Sequence, residues 1–356
     1  MALQHSSLSR NHDEEEGPLM LMTFQALPTL PQPQLVQPPM LRPAAKALGG
    51  WMRREQAIMG TSVSVQLWAD DRPRGEAAIA AVMAEMHRID RAMSPHKPDS
   101  ELSRINRKAG TRPVRMSFEM FRLVARSIGF SQLSRGAFDI TFASAGALYD
   151  YRAGIAPDDA ALSAAVAAIG WQHLALDLNA HTIQFLKPSM RIDLGGFAKG
   201  HAVDRACAIL ERFAIKHAIV SAGGDSRVIG DKRGRPWGVA IRDPRNADEV
   251  AAVLPLQDVA LSTSGDHERY FLRDGVRHHH LLDPRTGRSP DHVRSVTVLA
   301  SDGLTAEALS KTVFVLGVEE GLGIVETVAG ADAVVIDQRG ALHFSSGLDQ
   351  RTRNAA

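Results

Sequence analysis

Residues 191–204 read RIDLGGFAKGHAVD, in which a strand-like run passes through two glycines and a lysine into a helix. Gly195 and Gly196 allow a ligand to approach the backbone closely, and the amides at a helix start together with Lys199 favour an anion such as phosphate. The spacing fits neither the P-loop nor the dinucleotide-binding fingerprint. From this segment alone, a phosphate site and a tight turn with a solvated lysine are both open interpretations.

The segments on either side of this one predict an α+β fold. Before it, a strand over residues 57–69 precedes helices whose apolar residues recur at helical spacing over 75–93, 117–134 and 161–171. After it, short β-runs bounded by Gly, Pro or Asp dominate until a helix over residues 305–317. Segregated helices with antiparallel strands are typical of α+β architecture rather than of a regular βαβ alternation.

The start of the chain differs in composition from the rest. Residues 1–17 are polar and charged, and residues 25–43 are rich in Pro and Gln, so this stretch cannot bury enough apolar surface to fold. We therefore expect a disordered arm over residues 1–50 and one domain of two lobes over residues 51–352. No signal peptide, lipid-anchor cysteine or transmembrane segment is recognisable, so we expect a cytoplasmic location, or the periplasmic side of the inner membrane if the start is misassigned.

Composition argues against several function classes. The chain of 356 residues carries a net charge of only +1, so no charge excess argues for binding to nucleic acid or to a membrane surface. Aromatic residues make up 5%, which weakens a base-stacking role. Cys207 is the only cysteine, which excludes an internal disulfide and a thiolate metal cage.

A second glycine pair lies further along the chain, in residues 220–230, which read VSAGGDSRVIG. Gly223 and Gly224 come at a strand end, directly before Asp225. The segment is either an ordinary β-turn or a place where the backbone meets a ligand and Asp225 binds a ribose or an amino group.

Three consecutive histidines open residues 278–287, which read HHHLLDPRTG. In a strand, His278 and His280 would share one face and His279 would point to the other. A metal site, an acid/base group beside the Asp at the strand end, and a surface histidine cluster are all open interpretations.

Glu307 and Lys311 lie one turn apart on the same face of the predicted helix over residues 305–317. They are either an exposed ion pair of small energetic weight or a pair in which Glu307 lies near a phosphate-bound cation.

Taken in order, seven segments resemble the FAD:protein FMN transferase family, the ApbE type. They are MGTSVSV (59–65), MSPHKPDSELSRIN (93–106), GAFDIT (136–141), DLGGFAKGHAVD (193–204), AGGDSRVIG (222–230), STSGDHERYF (262–271) and HHLLDPRTG (279–287). The resemblance implies a T-fold-like domain of two intertwined lobes with mixed or antiparallel sheets. It also implies that FAD is cleaved, that FMN is attached through a phosphoester to a Thr or Ser of an acceptor protein, and that AMP leaves.

The resemblance assigns expected roles to the matched residues. His280 would activate the acceptor hydroxyl. Mg²⁺ would be held by the Gly196 carbonyl, by Glu307 and by the position of Lys311. The residues expected to contact FAD, with the second glycine pair included, are Met59, His96, Ala137, Phe138, Asp139, Asp193, Lys199, Gly223, Asp225 and Leu281.

Three of these positions depart from the pattern that the resemblance implies. His96 stands where a tyrosine usually stacks on the flavin ring, Glu307 replaces an aspartate, and Lys311 replaces a threonine ligand. An ammonium group cannot donate a lone pair to a metal, so Lys311 either pairs with Glu307 or stands in for part of the metal's charge. We therefore hypothesise a weakened or altered dependence on Mg²⁺.

Three other functions stay open at the level of the sequence. The chain could bind FAD without cleaving it, or it could be an FAD pyrophosphatase that uses water as the acceptor and releases FMN and AMP. A scaffold that binds partners through its Pro-rich arm is the third.

Overall fold

The computed structural model describes residues 49–246 and 249–348, which form fifteen strands and eight α-helices joined by turns and loops. In chain order the strands are β1 (Gly50–Ile58), β2 (Thr61–Ala69), β3 (Val114–Arg115), β4 (Leu174–Asp177), β5 (Thr182–Phe185), β6 (Ala218–Ala222), β7 (Asp225–Ile229), β8 (Trp237–Arg242), β9 (Val250–Leu256), β10 (Ala260–Gly265), β11 (Tyr270–Arg273), β12 (Val276–His279), β13 (Val293–Ala300), β14 (Asp332–Asp337) and β15 (Leu342–Phe344). The helices are α1 (Arg72–Met93), α2 (Glu101–Lys108), α3 (Phe118–Leu133), α4 (Ala143–Gly146), α5 (Asp159–Val166), α6 (Ala198–Arg212), α7 (Gly303–Leu316) and α8 (Val318–Glu326).

An antiparallel sheet of eight strands forms the main layer, in the order β1-β2-β6-β7-β10-β13-β14-β15. Strand β2 shows how its buried face arises. Val63, Val65 and Leu67 are inaccessible to solvent and alternate with partly exposed residues, as the two-residue period of a strand requires. A three-stranded sheet, β3-β5-β4, and the hairpins β8-β9 and β11-β12 complete the β-structure of the described residues. The predicted α+β class with antiparallel sheets is confirmed.

Helix α6 packs between α1 and α7, and both α6 and α7 contact strands of the main sheet. Its buried residues Ala202, Ala206 and Ile209 recur at intervals of three or four, which places them on one face. Because these side chains are small or of moderate size, α6 can approach its neighbours closely. The first turn of α6 lies beside α7, and its Lys199 reaches Asp225 at the start of β7.

The strand predicted over residues 57–69 is part of a hairpin, and a second tight turn lies further along the chain. The chain reverses at Met59 and Gly60, whose φ angles are 55° and 70°, so residues 57–69 belong partly to β1 and partly to β2. The second reversal is at Gly223 and Gly224, between β6 and β7. A left-handed backbone conformation is required at these turns, and alternation of apolar residues alone does not reveal it.

The run before the first glycine pair is not a strand. Its backbone groups bond elsewhere: the amide of Ile192 donates to Oδ1 of Asn106 (2.9 Å), and the amide of Asp193 donates to the carbonyl of Ile140 (2.9 Å). The segment over residues 93–106 includes most of helix α2, which the apolar periodicity did not predict. Ser100 caps this helix, since its hydroxyl accepts from the amide of Ser103 (3.0 Å).

The expected arm over residues 1–50 lies, apart from its last two residues, outside the described residues, and the division of residues 51–352 into two lobes stays a prediction. Among the described residues, no helix combines the length and the apolar character needed to cross a bilayer.

Helices α6 and α7 meet through glycines. A Cβ atom built on Gly200 would lie 2.3 Å from the carbonyl oxygen of Gly303, closer than real Cβ contacts allow. The absence of side chains at this crossing lets the two backbones touch, so the first turn of α6 is held directly against the first turn of α7.

Gly200→Ala should lower the free energy of unfolding by about 1–3 kcal/mol, because the added methyl group forces the two helices apart. Gly129→Ala is the matched control: Gly129 is also helical, but it is exposed in α3 and nothing lies within 4 Å of its built Cβ. This control should gain about 0.5–1 kcal/mol from improved helix propensity. Urea unfolding followed by circular dichroism measures both, and equal effects at the two positions would contradict the packing argument.

Candidate active site

The first glycine pair forms a tight turn that leads into α6. Oδ1 of Asp193 accepts from the amide of Gly195 at 2.6 Å, which closes the turn two residues ahead. The side-chain amide of Asn106 donates to the carbonyl of Ile192 (2.9 Å) and accepts from its amide, so it holds the approach to this turn. The turn places the N-terminus of α6, with its partial positive charge, beside Gly196. The amide of Ala198 donates to the carbonyl of Leu194, and so it is already bonded within the chain.

Lys199, in the first turn of α6, is the centre of a buried ionic network. Its ammonium donates to Oδ2 of Asp225 at 2.8 Å, to the carbonyl of Gly195 at 3.2 Å and to Oε1 of Glu307. Oε2 of Glu307 accepts from the amide of Gly200 at 2.7 Å. Glu307 is inaccessible to solvent, so the interpretation of its pair with Lys311 as an exposed ion pair is wrong.

The charges of this network shift one another's pKa values. Burial alone would lower the pKa of Lys199, but the carboxylates of Asp225 and Glu307 raise it above its usual value. Burial opposes ionisation of Asp225, yet the two lysines hold its pKa below the ordinary range. For Glu307, burial and the neighbouring Asp225 raise the pKa. Lys199 therefore stays charged, and its positive charge stabilises the ionised forms of both carboxylates.

Lys311 approaches the same carboxylate from the other side. Its Nζ lies 3.5 Å from Oε1 of Glu307 and 3.5 Å from the hydroxyl of Ser310, and its side chain is 16% exposed. Burial lowers the pKa of Lys311, and the carboxylates of Glu307 and Asp225 oppose this shift. Two lysines and two carboxylates thus form one cluster next to the glycine turn.

The residues present do not fit the Mg²⁺ site that the family resemblance implies. Both oxygens of Glu307 already accept from Lys199 and from the amide of Gly200. Lys311 brings a cation in place of a lone pair, which leaves the Gly196 carbonyl as the one remaining member of the ligand set. Across residues 49–246 and 249–348, no group of three His, Cys, Asp or Glu side chains is arranged to hold a metal ion. The metal interpretation of the three histidines has no support there either.

The second glycine pair brings Asp225 to this cluster. A Cβ on Gly224 would lie 2.4 Å from the carbonyl oxygen of Thr263, so only glycine permits the turn to lie against β10. The amide of Gly223 donates to the carbonyl of Ser62 (2.9 Å), which ties the turn to the hairpin that carries Met59. The segment is a β-turn, and this turn positions the buried carboxylate of Asp225 against Lys199. A ligand contact of Asp225 stays a prediction.

His280 lies just past the end of β12, and its amide donates to the carbonyl of Arg269 at 3.1 Å. Burial, together with the charges of His279, Lys311 and Arg269, lowers the pKa of His280 to about 3, so its imidazole is neutral near pH 7. Its Nδ1 atom is buried and has no hydrogen-bond partner among the described residues. The imidazole near Lys311 is thus in the neutral form that can accept a proton, and its low pKa makes it a weaker base than an ordinary histidine.

The other two histidines point elsewhere. The ring of His279 is buried, and its Nε2 lies 2.8 Å from the carbonyl of Pro290. The ring of His278 stacks on Phe271 at 5.0 Å between centroids, on the half-exposed side of the β11-β12 hairpin. Three adjacent histidines therefore have three different environments.

The remaining predicted flavin contacts fall into two groups. Met59 lies in the β1-β2 turn, and the carbonyl of the adjacent Gly60 accepts from Arg269 (3.1 Å), which links this turn to the loop before β11. His96 lines a surface groove of about 290 Å³ together with Asn106 and Arg191. Burial raises the pKa of Asp193, and the charge of the nearby His96 opposes this shift.

The second group is buried. Ala137 and Phe138 are in the core, where the Phe138 ring lies 5.5 Å from that of Phe197. Asp139 uses its carboxylate within the chain: Oδ1 accepts from the amide and hydroxyl of Thr141, and Oδ2 accepts from the amide of Trp171 (2.8 Å). The side chain of Leu281 is buried in a hydrophobic cluster with Leu309 and Phe314. Any contact of these residues with a ligand stays a prediction.

Sequence reasoning missed three contributors. Asn106 holds the approach to the glycine turn, and Arg269 joins the Met59 turn to His280. The hydroxyl of Ser310, the residue before Lys311, forms hydrogen bonds with the hydroxyls of Ser262 (3.0 Å) and Ser264 (2.9 Å). Asn106 and Arg269 lie inside segments that carry the family resemblance, which was the signal available for them, whereas Ser310 lies outside these segments.

Fold and site together define a class of protein: an α+β domain whose helix N-terminus, lysine cluster and neutral histidine suit a phosphate-containing ligand. Residues 59–335 match the model of the ApbE family, and the chain belongs to that family.

Relatives and solved structures agree with this assignment. The FAD:protein FMN transferase of Treponema pallidum is 32% identical over 84% of this chain and 88% of its own length. One from Klebsiella pneumoniae is 35% identical over 75% of this chain and 79% of its own length. The crystal structure of the ApbE protein from Thermotoga maritima superposes with a TM-score of 0.79 at 33% identity, covering 85% of this chain and 99% of that one. The flavin transferase ApbE from Vibrio cholerae gives a TM-score of 0.76 at 28% identity, with the same shares covered.

Lys199→Met should lower the free energy of unfolding by about 3–5 kcal/mol near neutral pH, because two buried carboxylates lose their shared cation. Their pKa values then rise above the unfolded-state values, and a raised carboxyl pKa destabilises the fold only while the group is ionised. The loss should therefore shrink as the pH falls to about 5.

Lys97→Met is the control, since Lys97 forms an exposed pair with Asp90 and should cost at most about 1 kcal/mol. Urea unfolding at the two pH values measures both variants. A loss for Lys199→Met that does not change with pH would contradict the network.

Proposed function

We propose that this protein is an FAD:protein FMN transferase that cleaves the pyrophosphate of FAD and attaches FMN to a Thr or Ser of an acceptor protein. The observation that carries the proposal is that His280, neutral near pH 7, lies close to the lysine cluster at the start of α6, since Lys311 contributes to its low pKa. This pairs a proton acceptor with a phosphate-binding place. The names of the curated relatives support the same activity.

The phosphates of FAD lie, in this proposal, beside the glycine turn at the start of α6, where the positive charge of Lys199 attracts them. Gly195 and Gly196 allow the pyrophosphate to reach the backbone, and the helix N-terminus favours its negative charge. Cleavage develops negative charge on phosphoryl oxygens, so fixed positive charge lowers the barrier.

His280 takes the proton of the acceptor hydroxyl in this mechanism. The hydroxyl oxygen forms a bond to the phosphorus of the FMN half, and the bond from that phosphorus to the bridging oxygen breaks. The electron pair of the broken bond goes to the phosphate of the departing AMP. Positioning of the two partners supplies much of the rate enhancement, as in other phosphoryl transfers.

Incubation with FAD and a peptide that carries an acceptor threonine, followed by intact mass analysis, tests the activity. We expect a mass gain equal to FMN on the peptide, and His280→Ala should slow this gain by on the order of 100-fold to 10,000-fold. His278→Ala is the control, because that ring stacks on Phe271 and should leave the rate unchanged. Free FMN without modified peptide would instead indicate a pyrophosphatase, and intact FAD would indicate a non-catalytic binder.

The pH dependence of kcat/KM offers a separate test of His280. Because its pKa is about 3 in the free enzyme, the imidazole stays in its basic form well below neutral pH. We expect no fall in kcat/KM from His280 protonation between about pH 8 and about pH 5. An acid limb centred near about 6.5, the ordinary histidine value, would contradict this environment.

A further inference from the structure

We infer that the Lys311 ammonium supplies, in the cleavage of the pyrophosphate, the positive charge for which the family resemblance implies a divalent cation. This inference rests on the proposed function, and it gives Lys311 the role that the family resemblance gives to the metal ion. Wild-type FMN transfer is then independent of Mg²⁺.

The position of Lys311 is the first step. The residue lies one turn after Glu307 on α7, and a Cβ built on Gly196 would lie 3.6–3.9 Å from Cε, Cγ and Cδ of Lys311. The aliphatic part of the side chain thus packs against the glycine turn at which the phosphates are expected. This contact directs the ammonium into the place where the family resemblance puts the metal.

The availability of the ammonium group is the second step. Both contacts of Nζ, to Oε1 of Glu307 and to the hydroxyl of Ser310, are 3.5 Å long, at the outer limit of a hydrogen bond. An ammonium carries three donors, so N–H groups remain for a phosphate oxygen. The side chain is 16% exposed, so a ligand can reach it.

The balance of charge is the third step. Asp225 and Glu307 bring two carboxylates, and Lys199 and Lys311 bring two ammonium groups, so the cluster is neutral without a metal. Lys199 and Lys311 both approach Oε1 of Glu307. A divalent ion there would face two like charges and would have to displace one of them from its carboxylate.

In the reaction, the remaining N–H groups of Lys311 donate to an oxygen of the pyrophosphate while the acceptor oxygen forms its bond to phosphorus and the electron pair of the broken bond leaves with AMP. The acceptor proton goes to His280. No further co-reactant is needed.

The experiment compares FMN attachment to the acceptor peptide by the full chain in EDTA and in MgCl₂. The wild type should give the same rate in both. Lys311→Thr replaces the cation by a hydroxyl, and it should lose on the order of 100-fold in EDTA and regain activity with MgCl₂. Lys108→Thr, an exposed helical lysine in α2, is the control and should match the wild type in both conditions.

Binding of MnCl₂ in the presence of FAD, followed by electron paramagnetic resonance, gives a readout that does not need turnover. The wild type should not bind Mn²⁺ at the site, whereas Lys311→Thr should bind it. Wild-type transfer that stops in EDTA and returns with MgCl₂ overturns the inference and leaves the proposed function intact. If FAD is never cleaved, the proposed function fails and the catalytic role of Lys311 fails with it. Mn²⁺ binding by Lys311→Thr alone would then still show that Lys311 occupies the cation position, and Mn²⁺ binding by the wild type would overturn that as well.

Discussion

The buried carboxylate of Glu307 is the constraint on which the rest of the structure depends. It lies on α7 and accepts from Lys199 and from the amide of Gly200, both in the first turn of α6. A carboxylate without these donors would be strongly destabilising in the interior, so the two helices must stay together. The contact between Gly200 and Gly303 makes the required approach possible. The interaction that stabilises the helix pair is therefore the one that positions the candidate site.

Electrostatics connects the stability of this cluster with its chemistry. Two lysines lower the pKa of Asp225 against the effect of its burial. Burial, with Lys311 among the neighbouring charges, lowers the pKa of His280 and keeps it unprotonated near pH 7. Base catalysis requires a neutral imidazole, and phosphate binding is favoured by charged ammonium groups. The same burial that makes these charges costly also strengthens their interaction with a phosphoryl group.

Much of the fold followed from residue patterns. The helices at α1, α3, α6 and α7 follow from apolar periodicity, and the antiparallel class follows from the short β-runs. The hairpin at Met59 and Gly60 and the helix α2 did not, because turns and caps depend on one or two residues rather than on a period. The run before Gly195 was taken for a strand because its pattern cannot show that Asn106 and Ile140 complete its backbone hydrogen bonds.

By itself, the sequence determined the α+β class, the resemblance to the ApbE type, and the residue types that make up the candidate site. It also showed that Lys311 stands where the resemblance implies a threonine ligand, and a charged ammonium group has no lone pair to donate to a metal ion. Only the tertiary structure decided that Glu307 is buried rather than exposed, that Asp225 and Lys199 share an ion pair, and that His280 differs from its two neighbours. Burial and pairing arise from contacts between residues far apart in the chain, and a local pattern does not encode them.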